Sequence, residues 1–158
     1  MNIQNRWNVY THSTIDNNWN NESYNKIFTI DNLFDLNIIM NSTSKLFFEK
    51  NMIFIMRDNI FPTWEDKSNC NGCTASFKVN NKDSTRIFNS ILSSFIGENI
   101  HKNIENYNNI NGLSIIPKKN FSILKLWFSS SIDNIEDHIN ILKPYIISKN
   151  CRIKNNII

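Results

Sequence analysis

Glycine and proline are scarce in this chain, with three of each in 158 residues. That excludes collagen-like and linker-rich architectures and leaves little punctuation to separate one domain from another. Cysteine is scarce as well. Three residues, an odd number, argue against a disulfide framework and for a reducing compartment. No apolar run approaches the ~20 residues of a membrane span. The opening stretch Met1-Asn-Ile-Gln-Asn-Arg-Trp7 lacks a signal-peptide core, so the expected location is cytoplasmic, away from membranes. Runs of basic residues are missing too: a net charge of +3 and a pI near 8.8 favour an anionic partner but do not point to duplex DNA.

What is present in excess is Asn and Ile, together roughly a third of the residues and far above ordinary usage. Because the Asn residues are interspersed with hydrophobic periodicity, the bias reads as an AT-rich coding genome, such as that of a large DNA virus or a protist parasite. With 41% apolar and 20% charged residues the chain is globular, and its length predicts one domain over 1–158, expected to be a monomer. Cys70-Asn-Gly-Cys73 has the spacing of half a zinc site, but four ligands are needed. Cys151, His12, His101 and His138 are scattered without a matching pair, so the reading is two turn cysteines and no metal.

Hydrophobic spacing predicts three helices. The first runs from Ile30 to Asn41 after Thr29 as a possible N-cap, with Ile30, Leu33, Phe34 and Ile38 on one face. The second runs from Ser84 to Ile96 and stops at Gly97, a natural left-handed cap. The third runs from Ile132 to about Ser148, with Pro144 kinking it. Strand-like runs cover 52–57, 74–79, 113–116, 123–128 and 152–158, with weaker ones at 6–11 and 24–29. The order strand-strand-helix, twice repeated and followed by strand, predicts an α+β fold with helices gathered on one face of a mainly antiparallel sheet.

Four tryptophans stand at 7, 19, 64 and 127. Trp7 and Trp127 lie in strand patterns, where burial is the default. Trp19 sits in the polar loop Asp16-Asn-Asn-Trp-Asn-Asn21, where it is either pinned under the fold or presented to a ligand. Trp64 is followed at once by Glu65. An indole face beside a carboxylate that accepts two parallel N–H bonds suits a cationic purine such as guanine methylated at N7.

The series Gln4-Asn-Arg-Trp7, loop Trp19, Asp58-Asn-Ile-Phe-Pro-Thr-Trp-Glu-Asp66, Phe95-Ile-Gly-Glu98 and Leu124-Lys-Leu-Trp127 resembles the eukaryotic translation initiation factor 4E family of messenger-RNA cap-binding proteins. The resemblance runs from residue 4 to about residue 150. It implies a curved antiparallel sheet with three helices on its convex face and a cap slot on its concave side. It further implies that Trp19 and Trp64 stack on the base, that Glu65 holds the guanine edge beside the Trp64 N–H, and that Trp127 touches the N7 methyl. No cofactor is implied.

The same resemblance places a phosphate-binding role on Lys118, where relatives carry Arg. The next phosphate lysine of the family aligns with Ile123, so Lys125 or Lys119 is expected to substitute. A further lysine-bearing C-terminal loop is expected to be absent, since the sequence ends at Ile158. On the convex face the family docks a helical peptide of the 4G scaffold. Here that surface maps to Ile30, Phe34, Asn89, Ser93 and Gly97, with Asn89 and Ser93 at leucine positions, and Thr74 and Ala75 replace an Arg-Trp pair near the slot.

The expected function is therefore binding of 5'-capped messenger RNA in translation initiation, without catalysis, with a dedicated 4G-like scaffold or none. The alternative is a cap-sequestering repressor that bypasses the usual scaffold. A cap-cleaving enzyme would need clustered carboxylates, and no Glu-rich motif is present. A fold that had lost its slot would not be expected to keep Trp19, Trp64, Glu65 and Trp127.

Overall fold

The computed structural model describes residues 2–140 and 150–156. Its strands are β1 (Asn2–Ser13), β2 (Asn25–Asn32), β3 (Asn51–Arg57), β4 (Cys73–Asn80), β5 (Ile110–Pro117), β6 (Phe121–Phe128) and β7 (Cys151–Asn155). All pair antiparallel in one curved sheet of order β2-β1-β3-β5-β6-β4-β7. The helices are α1 (Leu33–Ser42), α2 (Lys45–Lys50) and α3 (Ser84–Ile96), with short 3-10 turns at Asn21–Ser23 and Ile104–Asn109.

Period-two alternation divides the sheet into two faces. In β3, Ile53 and Ile55 pack under the helices while Met52, Phe54 and Met56 point the opposite way. The helical face collects Trp7, Val9, Phe77, Leu113, Leu124, Leu126 and Phe128 from the sheet, and Leu36, Phe48, Phe88, Leu92 and Phe95 from the three helices. The other face carries a smaller cluster, Met52, Phe54, Met56 and Trp127, with Tyr10, Tyr24, Ile60 and Ile116 packed against it. A run such as Met52-Ile-Phe-Ile-Met56, apolar on both sides, is what a strand covered on both faces requires.

Several sequence expectations shift. The first helix begins at Leu33, not Ile30: Asn32 is the cap, its Oδ1 accepting from the N–H of Phe34 (2.8 Å) and Asp35 (3.0 Å). The Asp35 carboxylate returns the favour by accepting from the Asp31 N–H at 2.9 Å, a reciprocal cap that outcompetes Thr29. Ile30 therefore belongs to β2 and is fully buried. The buried side of α1 is Leu36 and Ile39, whereas Leu33 and Phe34 face solvent.

The helix expected from Ile132 is not present over 132–140, which forms bends and a turn ending in a bridge between Ile139 and His101. Asn140 holds that segment by donating to the carbonyls of Asn99 (3.2 Å) and His101 (2.9 Å). The remainder of that expectation, 141–149, lies outside the described residues. Among the described residues the third helix is the short α2, capped by Ser44, whose Oγ accepts from the Phe47 N–H at 3.2 Å. α3 keeps its expected bounds, but Gly97 has φ −76° and is no left-handed cap. The left-handed residue is Glu98, at φ 55°.

The Phe95-Ile-Gly-Glu98 turn delivers Glu98 to the interior. Its carboxylate takes two bonds from Arg57, at 2.7 and 3.0 Å, and one from Asn5 Nδ2 at 2.7 Å. The same guanidinium donates to the Ile110 carbonyl at 2.7 Å and lies 4.3 Å from the ring centre of Trp7. Burial alone would raise the Glu98 pKa, but the bonds from His101, Arg57 and Asn5 and the guanidinium charge outweigh it and hold the carboxyl below its ordinary range. This network ties β1, β3, the end of α3 and the start of β5 at the root of the loop that carries Trp64.

Candidate functional site

The face of the sheet opposite the helices holds a slot of about 370 Å3, lined by Trp19, Tyr24, Phe54, Pro62, Thr63, Trp64, Glu65, Ile116, Lys125 and Trp127. That volume falls in the range of small-ligand pockets. Of the residues singled out in the sequence, Trp19, Trp64, Glu65, Trp127 and Lys125 come together here from three separate segments. Tyr24, Phe54, Pro62, Thr63 and Ile116 complete the wall and were not singled out. For Phe54, alternation along β3 was the available signal, since it faces away from Ile53 and Ile55.

Each wall has its own support. Trp127 is 3% exposed, and its Nε1 donates to Ser114 Oγ at 3.0 Å, so it is at once core and slot floor. Trp19 is 54% exposed; its back rests on the fully buried His12, ring centres 4.2 Å apart and planes 9° from parallel. The two nitrogens of His12 lie 2.9 Å from the Ser13 carbonyl and 2.8 Å from the Asn18 carbonyl, linking the Trp19 loop to β1.

Trp64 is 40% exposed and sits on a heavily bonded loop. Asp66 accepts from the N–H groups of Phe61 (2.9 Å) and Ser68 (2.8 Å). The fully buried Asn69 donates to the carbonyls of Phe61 (3.0 Å) and Thr63 (2.8 Å) and accepts at its side-chain oxygen from Asn111 at 3.0 Å. Gly72 closes the loop where no side chain fits, because a Cβ would stand 1.8 Å from the Phe128 carbonyl oxygen. That requirement explains the glycine of Cys70-Asn-Gly-Cys73. No group of three or more metal-ligating side chains occurs among the described residues.

Charge in the slot is of both signs. Glu65 makes no hydrogen bond or ion pair among the described residues, and its carboxylate adds to burial in pushing the Tyr24 hydroxyl up to about 12. Lys125 is half-buried, and its pKa is lowered by burial first, then by the ammonium groups of Lys154 and Lys118. Lys154, which the sequence did not flag, sits with its Nζ 4.5 Å from the Trp64 ring centre. Lys118 and Lys119 are not part of the slot wall. They line a second cavity of about 350 Å3 with Phe48, Glu49, Asn81, Ser84 and Ser122, although the Lys118 charge still reaches Lys125.

On the helical face, Asn89 donates to the Met40 carbonyl at 3.2 Å, and Ser93 Oγ donates to the Asn89 carbonyl at 2.9 Å while reaching the Met40 sulfur at 3.5 Å. Gly97 is exposed at the end of α3. Ile30, expected to form a ridge with Phe34, cannot do so because it is buried; Leu33 at 44% and Phe34 at 71% exposure form the apolar surface instead.

An open antiparallel sheet with helices on one face and an aromatic slot on the other defines the class: a single-sheet α+β ligand-binding domain. Within that class the chain belongs to the Eukaryotic initiation factor 4E family, whose model matches residues 2–152. Solved structures agree on the fold. C. elegans eIF4E-3 in complex with the 4E-binding protein Mextli is 16% identical, with TM-score 0.72 over 82% of this chain and 76% of that one. Ascaris suum eIF4E-3 with m7G cap is 17% identical, with TM-score 0.70 over 84% and 75%. Schistosome eIF4E complexed with m7GpppG and 4E-BP is 21% identical, with TM-score 0.74 over 84% and 74%. No curated protein matches the sequence.

Proposed function

We propose that this protein binds the 7-methylguanosine cap of messenger RNA and acts in translation initiation by binding, without catalysing a reaction. The observation that carries the reading is the convergence on one slot of Trp19, Trp64, Trp127 and the Glu65 carboxylate, which has no hydrogen-bond or ion-pair partner among the described residues. In this reading Trp19 and Trp64 take the two faces of the base. Stacking contributes about 1–3 kcal/mol, and the positive ring adds about 0.5–2 kcal/mol of cation–π attraction. Glu65 accepts from the guanine N1–H and N2–H, the backbone N–H of Trp64 donates to O6, and Trp127 meets the N7 methyl. Lys125 takes the first phosphates, with Lys118 behind it; Lys119, on the far cavity, has the weakest claim. Retention on immobilised methylguanosine triphosphate with elution by free cap analogue tests this. Failure to be retained would overturn it.

A second reading concerns the helical face. Asn89 and Ser93 are turned onto Met40, so a scaffold helix of the 4G type would find polar groups where two leucines are expected, beside an exposed Leu33–Phe34 surface. That pattern favours a dedicated partner, or cap sequestration without the usual scaffold. The expected result is negligible heat on titration with a standard 4G peptide, and measurable binding after Asn89→Leu with Ser93→Leu. Tight binding to the unmodified protein would remove this reading.

A further inference from the structure

Beyond the slot, toward the β7 edge of the sheet, the concave face changes character. The strands β6, β4 and β7 carry Lys78, Lys125, Arg152 and Lys154 and not one acidic residue. Alternation and register put all four on the face opposite the helices: Phe77, Val79, Leu124, Leu126 and Ile153 point to the helical core between them. Lys125 pairs across β4 with Ser76, and Ser76 with Arg152; Trp127 pairs with Thr74, and Thr74 with Lys154. Two rows of side chains therefore run outward from the slot floor to the β7 edge, each ending in a cation.

None of the four cations has an acidic partner among the described residues. The ammonium of Lys78 instead lies 4.2 Å from the ring centre of the half-buried Phe121, on the same face one row further along. Like charges gathered on one face repel one another: burial first, and then the Lys154 and Lys118 charges, lower the pKa of Lys125. A polyanion laid along the rows would relieve that repulsion. Cationic grooves interleaved with an aromatic ring are the usual grip on single-stranded nucleic acid.

We infer that the face formed by β6, β4 and β7, through Phe121, Lys78 and Arg152, binds the single-stranded RNA that continues from a nucleotide seated in the slot. This rests on the cap reading for what fills the slot, but the track has its own signature. Its contacts go to phosphates and a base face, so binding is sequence-tolerant and salt-dependent, and it extends the ligand beyond the slot's own polyphosphate site at Lys125. Among the described residues β7 is the last strand of the sheet, so the track runs out to a sheet edge.

The test compares a methylated cap mononucleotide, a capped hexaribonucleotide and the same oligomer uncapped, each titrated over a range of salt. The variant is Lys78→Ala with Arg152→Ala, neither of which lines the slot, and Lys78→Arg with Arg152→Lys is the charge-preserving control. Each lost phosphate contact lowers the salt slope by about 0.7 for a single strand, so the double variant loses about 1.4 in slope and about tenfold in oligomer affinity at low salt. Mononucleotide binding and the melting temperature stay at wild-type values, and the charge-preserving pair keeps the wild-type slope. An unchanged oligomer slope in the double variant overturns the track. If the mononucleotide fails to bind at all, the cap reading falls, and the uncapped oligomer's slope still decides the track by the same criterion.

Discussion

Two loops bring a tryptophan to the slot, and they are built in opposite ways. The Trp64 loop is bolted down: Asp66, Asn69, Gly72 and Asn111 give it a closed set of buried hydrogen bonds, and the Arg57–Glu98 pair fixes its root. The Trp19 loop is held by short local bonds, such as the Asn18 N–H to Asp16 at 2.8 Å, and by one buried ring, His12. The Trp64 wall is thus a fixed platform whose position is inherited from the fold. The Trp19 wall is positioned chiefly by a single stack and two contacts to carbonyls. Damage to the first should therefore appear as lost stability together with lost binding, and damage to the second as lost binding alone.

The largest effect is expected at the root. Glu98→Gln takes the carboxylate charge away from the buried Arg57 guanidinium, which costs about 3–5 kcal/mol, read as a lower melting temperature at neutral pH. The sign of its pH dependence follows from the lowered carboxyl. Stability contributed by Glu98 is complete above the ordinary carboxylate value of 4.5 and drains as the pH falls through its lower folded value. Melting curves from pH 7 to 3 should show that loss in the wild type and a flatter profile in the variant.

Next in size is Gly72→Ala. The added Cβ meets backbone rather than a movable side chain, so the loop or β6 must shift. About 3 kcal/mol is expected, with slot binding impaired alongside; calorimetric melting and a cap titration on the same sample check both. A variant that lost neither would show that the loop is less fixed than its hydrogen bonds imply.

Trp64→Ala and Trp19→Ala should each weaken binding of the methylated nucleotide by about 1–3 kcal/mol. Neither should lower the melting temperature by more than a few degrees, since both rings are substantially exposed. The smallest effect separates the loops most finely. His12→Phe keeps a flat ring behind Trp19 but gives up the contacts to the Ser13 and Asn18 carbonyls. Binding should weaken by about 0.5–1.5 kcal/mol with stability nearly unchanged, measured by fluorescence titration and thermal melting together.

Much of this architecture can be read from the residues, and the exceptions have physical causes. The strong periodicity of α3 fixed its bounds, because six apolar side chains at helical spacing admit one arrangement. The first helix was misplaced since Ile30 fits both a helical face and a strand, and only the Asn32–Asp35 reciprocal bonds decide between them. Within the run after Ile132, residues 132–140 form bends and a turn instead, held through Asn140 and the bridge to His101, a tertiary contact no local pattern contains.

At the slot, the residues with distinctive chemistry were visible in the sequence: three tryptophans, one carboxylate and Lys125. The supporting ones were not. Nothing in a polar stretch such as Ser68-Asn69-Cys70 marks Asn69 as the buried hub of a loop, and nothing marks His12 as the backing of a tryptophan seven residues on. Lys118 and Lys119 stand apart from these: both line the second cavity rather than the slot wall, a placement that a sequence position beside a strand does not reveal.

The central claim is that the slot selects a positively charged guanine by stacking it on tryptophan and holding its edge with Glu65. Quenching of tryptophan fluorescence by 7-methylguanosine triphosphate, measured side by side with unmethylated GTP on the same protein, tests that most directly. The account predicts strong quenching with the methylated nucleotide and binding about two- to thirtyfold weaker with GTP, since removing the charge removes a cation–π contribution of about 0.5–2 kcal/mol. Equal affinity for the two nucleotides would contradict it.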